Sequence, residues 1–94
     1  MHTIIRSYTG EGADELFTQM EALQTEVREL ISGVPGFISY TAFRTGDGGA
    51  TVTACEDKAG TDESSRRAAE FVEHKISVQC AAPSIIEGDA VLRF

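Results

Sequence analysis

Few side chains in this sequence could carry a reaction, and the most suggestive are Tyr40 and Cys55. A thiol beside a phenol can face a ligand or react with an oxidant. The competing role is packing, because a buried cysteine usually behaves as a small hydrophobe. Arg6 and Arg44 fall in strand-like segments, where a guanidinium could hold an anionic substrate; pairing with carboxylates across strands is the commoner fate. Arg6, Tyr40 and Cys55 are therefore the candidates for lining a ligand pocket. Cys80, beside Ala81 and Ala82, reads as a packing residue, and no catalytic set emerges.

Other constellations carry less. Glu70 and His74 stand at i, i+4, but two ligands fall short of the three or four that zinc takes. His74 also turns about 160° away from the apolar stripe of its own helix, so it reads as a solvated histidine and no metal site is expected. Gly10-Glu11-Gly12 precedes a helix like a phosphate cradle, yet Glu11, Asp14 and Glu15 crowd that helix start with like charge. The Gly46 to Gly49 run leads into a strand and has no helix dipole to offer. Neither loop is a nucleotide site, and no nucleophile elbow is present.

The elements that must position these residues alternate as β-α-β-β-α-β. Strands are expected at Ile4–Tyr8, Phe37–Phe43, Ala50–Cys55 and Ala90–Phe94. Leu16, Phe17, Met20, Leu23, Val27, Leu30 and Ile31 form one stripe at helical period, a single helix closed by Gly33 in the left-handed conformation and by Pro35. A second helix should start at Thr61 as its cap and bury Ala68, Ala69, Val72 and Ile76, with Pro83 forbidding its continuation. A turn centred on Asp47-Gly48 would pair residues whose numbers sum to 95, placing Tyr40 opposite Cys55. Apolar residues occur at both parities of the strands, and two helices can cover only one sheet face. The expected cover for the other face is a second copy of the chain, a homodimer through the sheet.

Composition narrows the function classes. The 94 residues suit one domain, 1–94, and carry a net charge of −7. That balance argues against nucleic acid and against anionic membrane surfaces as partners. No apolar run approaches the roughly 20 residues of a spanning helix, and no signal-peptide pattern is visible at the start. Two cysteines without CxxC spacing make no disulfide framework, which points to the cytoplasm.

Three short segments make a resemblance specific. Val34-Pro35-Gly36-Phe37 leads into the second strand, Cys55-Glu56-Asp57-Lys58 leaves the third, and Glu87-Gly88 approaches the last. With the element order, they resemble the antibiotic-biosynthesis-monooxygenase-like (ABM) family of dimeric α+β barrels over essentially the whole chain. The resemblance implies an α+β, ferredoxin-like monomer with a four-stranded antiparallel sheet that packs on its partner's sheet, and a small pocket between helices and sheet. Haem-degrading members use an Asn on the first strand, a Trp ending the third and a His on the second helix. The quinone-forming members, which oxidise polycyclic phenols without a cofactor, also lean on Asn and Trp. This chain contains no Asn and no Trp, and Cys55 stands roughly where the Trp would be. The resemblance thus brings no cofactor and no catalytic residues. It implies a cofactor-independent monooxygenase acting on a small aromatic or quinone-type substrate. The alternative is a non-catalytic dimeric module that binds a small apolar or aromatic ligand or is purely structural.

Overall fold

Alternation along the first strand decides which side of the sheet the helices cover. His2, Ile4, Arg6 and Tyr8 are buried, while Thr3, Ile5 and Ser7 between them are only half-buried. A computed structural model describes residues 1–94 as β1 His2–Thr9, α1 Ala13–Ala22, α2 Gln24–Ser32, β2 Phe37–Thr45, β3 Gly48–Cys55, α3 Lys58–Lys75 and β4 Ser84–Asp89. The four strands form one antiparallel sheet in the order β2-β3-β1-β4. This is the ferredoxin-like arrangement, with the helices on the even-numbered face of β1. Tyr8, Ala13, Leu16, Phe17 and Ile76 make the core cluster, and Tyr8 meets Phe17 edge-to-face at 5.9 Å. No helix is long and apolar enough to cross a membrane.

The opposite sheet face carries no helix. Ile5 lies between Val52 and Ile86 across the strands, and Phe43 pairs with Ala50 on the same side. Phe43 remains 47% exposed and Ile86 68% exposed. β3, the strand beneath both helices, contains nothing larger than threonine or valine. Its Gly49 lies directly under Phe17, where an added Cβ would come within 2.6 Å of the ring.

Several expectations need correction. The helix expected from Leu16 to Ile31 breaks at Leu23, whose N–H is shared between the carbonyls of Gln19 and Met20 at 3.0 and 3.1 Å. That tightened turn divides α1 from α2 and re-aims the apolar stripe. The left-handed glycine is Gly36, at φ 79°, whereas Gly33 stays right-handed. Helix α3 starts at Lys58 because the Asp57 carboxylate caps it, accepting from the Gly60 N–H at 3.2 Å. Thr61 is buried one turn further in. The hairpin closes at Thr45 opposite Gly48, so pairs sum to 93 and Tyr40 faces Thr53. Cys55 faces Phe37 instead, beyond an irregularity between Phe37 and Ser39. Because the slip is two residues, the side chains from Ser39 to Thr45 keep their predicted faces, while the irregularity moves Phe37 to the face of Cys55.

The last strand is Ser84–Asp89, and the apolar tail Ala90–Phe94 that was expected to form it lies outside the sheet. Glu87 and Asp89 suggest a turn by composition, but they are anchored in place by the first strand. His2 donates through Nε2 to Glu87 Oε1 at 2.9 Å and through Nδ1 to Asp89 Oδ1 at 3.1 Å, and Lys58 Nζ reaches the same Glu87 oxygen at 3.1 Å. Two acceptors on one ring require an imidazolium. Hydrogen bonds to Glu87 and then Asp89 raise the His2 pKa above its usual 6.5, and hydrogen bonds from His2 and then Lys58 lower that of Glu87 below 4.5.

The His2 contribution is therefore complete below pH 6.5 and disappears as pH rises through the raised value. That of Glu87 is complete above pH 4.5 and disappears as pH falls through the lowered one. Thermal unfolding against pH should show the wild-type chain losing stability across the neutral range and His2→Gln losing much less. Identical alkaline limbs for the two proteins would exclude this role for the clamp.

Candidate functional site

The apolar residues of α1 and α2 do not close fully onto the edge strand β2. Between them lies a cavity of about 670 Å³. Phe17, Met20, Val27 and Ile31 form its helix side, and Phe37, Tyr40 and Ala42 its sheet side. Glu21, Gln24 and Arg28 stand exposed at its mouth. Arg44, at the far end of β2, ties the strand to α1 by donating to Asp14 Oδ1 at 2.7 Å and Thr18 Oγ1 at 3.1 Å. The Arg44 charge is thus matched by a carboxylate, in an exposed pair that adds little stability.

Arg6 has a different environment. The pairing with carboxylates expected for it does not occur. Its guanidinium is 2% exposed and donates only to neutral hydroxyls: Thr53 Oγ1 at 3.2 Å, Ser64 Oγ at 2.7 Å and Ser65 Oγ at 2.8 Å. Its Nε–H has no partner, and neither does the buried Thr51 hydroxyl opposite it on β3. Both residues line a small void of about 30 Å³. Met20, Val27, Ile31 and Tyr40 separate that void from the large cavity and belong to the walls of both.

The acids around Arg6 stay protonated. Burial pushes the Tyr40 phenol up to about 12, outweighing the attraction of Arg6, and leaves the hydroxyl inclined toward Thr51 without a well-formed bond. Burial likewise raises Tyr8 and the Cys55 thiol. At neutral pH Tyr40 can donate a hydrogen bond to a ligand but is no base.

The three pocket candidates part company here. Arg6 and Tyr40 come together at the small void, and Tyr40 also faces the large cavity. Cys55 borders neither; it is fully buried where β3 meets α3, and a Cβ on Gly60 would stand 2.7 Å from its Cβ and 3.1 Å from its Sγ. His74 is exposed on α3, and no three metal-ligating side chains converge anywhere. The residues that sequence reasoning passed over are Thr51, Thr53, Ser64 and Ser65, which surround the Arg6 head. The available signal was a pair of hydroxyls at i, i+2 on a central strand, facing an arginine in the neighbouring strand.

No model of a known protein family matches the sequence, and no curated protein matches it. Solved structures do share its fold. The haem-degrader MhuD from Mycobacterium tuberculosis, with two haems bound in its active site, superposes with a TM-score of 0.69 at 18% identity, over 100% of this chain and 99% of its own. A monooxygenase from the gene ActVA-Orf6 of Streptomyces coelicolor, in complex with nanaomycin D, gives 0.64 at 23% identity, over 99% and 92%. A dimeric ferredoxin-like protein from an uncultured marine organism gives 0.65 at 17% identity, over 99% and 94%. The likeness is one of fold, the ferredoxin-like arrangement of helices on a four-stranded antiparallel sheet.

Proposed function

We propose that this chain acts as a homodimer that binds a small planar aromatic molecule between α1, α2 and β2 and oxidises it with dioxygen, without a cofactor. The observation that carries this reading is the cavity itself. Its roughly 670 Å³ lies within the range of small-molecule sites, and its walls are mainly apolar, with Tyr40, Ser32, Ser39 and Arg44 adding polar groups to those of the mouth. Such a chamber suits a reaction in which an electron-rich ring supplies the electrons. A ring CH₂ reacts with O₂, one oxygen atom stays as the new carbonyl, and the other leaves as water with both hydrogens. The protein would orient the ring, keep it dry, and donate a hydrogen bond from Tyr40 to a ring oxygen. Support for the dimer comes from the exposed apolar residues Phe43 and Ile86 on the uncovered sheet face, and from the dimeric protein of the same fold.

Haem does not suit these residues. The cavity walls offer no imidazole and no thiol, Tyr40 is held protonated, His2 is bound by two carboxylates, and His74 points outward. Haemin added with a reductant should therefore give no axial-ligand spectrum and no turnover; loss of the haem band at enzymatic rates would contradict this.

One observation favours a second reading, a ligand-binding module without turnover: burial pushes the Tyr40 phenol up to about 12, so it is no general base for a bound ligand. Calorimetry and oxygen uptake with 1-naphthol, whose keto tautomer carries a ring CH₂ para to its oxygen, separate the two. Binding with stoichiometric oxygen consumption supports the oxygenase, and binding without consumption supports the module. Ala42→Trp, which fills the cavity from the exposed edge strand, should weaken binding at least about tenfold in either case. No binding by the wild-type chain would remove both readings.

A further inference from the structure

A buried guanidinium that touches no carboxylate is costly, because desolvation of the charge is not matched by an opposite one. Arg6 is in that position, with Thr53, Ser64 and Ser65 as its partners and no ion pair. The carboxylate whose field reaches it is Glu87, whose hydrogen bonds go to His2 and Lys58. Its acidic neighbours Tyr8, Tyr40 and Cys55 are all shifted toward their neutral forms. No group of the chain therefore supplies the missing negative charge. Meanwhile Arg6 Nε and Thr51 Oγ1, both buried and both without partners, line the same void.

We propose that the void between Arg6 and Thr51 is a subsite for one anionic atom, either a free halide ion or the terminal oxygen of a ligand whose body lies in the larger cavity. The size sets this limit: about 30 Å³ is the share of one water molecule in the liquid, too small for a separate sulfate or phosphate. Its walls favour charge pairing once an anion is inside. Met20, Val27, Leu30, Phe71 and Val72 exclude water, so the attraction to the guanidinium is weakly screened. The two spaces share one wall, made by Met20, Val27, Ile31 and Tyr40, so a ligand in the large cavity lies directly against the subsite. The halide source is independent of the aromatic-ligand reading, whereas the ligand-oxygen source rests on it.

Two measurements distinguish the sources. In the first, the protein is exchanged into gluconate and bromide is added at constant ionic strength. The unfolding midpoint should rise saturably, by about 4 °C or more, and anomalous diffraction should place bromide beside Arg6 Nε. Arg6→Met should abolish the response. Because that variant loses three hydrogen bonds and could fail to fold, Thr51→Val is the second. It removes a hydroxyl that has no partner, so its midpoint in gluconate should be unchanged or slightly higher while its bromide response weakens about fivefold or more. In the second measurement, calorimetry compares 2-naphthoate with the neutral 2-naphthamide. A preference for the carboxylate of about tenfold or more, lost in Thr51→Val, identifies the site as one for a ligand oxygen. No bromide response together with equal binding of the two naphthalenes overturns the proposal, as does an ordered water in the void that bromide never replaces. If neither naphthalene binds, the aromatic-ligand reading fails and the bromide result alone decides the subsite.

Discussion

Ile86→Asp should convert the proposed homodimer into a monomer. Ile86 sits opposite Ile5 on the uncovered sheet face, next to the row that contains Val52 and Phe43, and is 68% exposed in the single chain. A two-fold interface presents the same patch twice, so one substitution introduces two carboxylates into one apolar seam. Leaving a carboxylate there unpaired costs several kcal/mol, and about 4 kcal/mol is roughly a thousandfold in the dissociation constant. Light scattering at micromolar concentration should report half the wild-type mass, while Ile86→Val should keep the wild-type value. A variant dimer as tight as the wild type would show that the sheet face is not the seam.

Leu16→Ala should produce the largest loss of folding stability from a single apolar truncation. Leu16 is wholly inaccessible, enclosed by Tyr8, Ala13, Phe17 and Ile76. Removing its branched end leaves a hole among Tyr8, Phe17 and Ile76, side chains already held in the packed cluster. The expected cost is about 2–5 kcal/mol. A domain of this length has roughly 5–14 kcal/mol in total, so the midpoint in urea should fall by about a third at the centre of both ranges and by about a seventh at the least. Val91→Ala, at a site 91% exposed, should leave the midpoint unchanged. A loss below about 1 kcal/mol for Leu16→Ala would mean that the core collapses around the site.

The element order and the apolar face of the first helical stretch were legible because they follow from periodicity. The stripe from Leu16 to Ile31 fixes a face whatever the turn details, whereas α3 buries Gly60, Thr61 and Ser64 rather than Ala69. What escaped depends on long-range partners. Glu87-Gly88-Asp89 looked like a turn because acids and glycine disfavour strands, and only the pairing with His2 from the opposite end of the chain makes a strand of it. Likewise Thr61 had the composition of a cap, but Asp57 reaches the helix N–H first. Among the site residues, Tyr40 was legible as a phenol on a mixed strand face. The isolation of Arg6 was not, since fifteen acidic residues in the sequence suggested a partner and the fold places none against it. Cys55 and Tyr40 share a sheet face as expected, yet the two-residue slip and the Gly60 contact put the thiol behind the cavity walls.

A central strand built only of small side chains, Gly48 to Cys55, has a consequence for how such a protein could change its ligand over generations. The large cavity is walled by α1, α2 and β2 alone, whereas β3 contributes Thr51 to the small void behind it. One extra carbon at Thr51 would close a space of about 30 Å³ and leave the space of about 670 Å³ nearly intact. Conversely, trimming Tyr40 or Met20, the partition between the two spaces, would merge them and admit a longer molecule with its charged end inward. On the proposed reading of the two spaces, ligand length and ligand charge would be under the control of different residues. A lineage could alter one by a single replacement without disturbing the helices that hold the other.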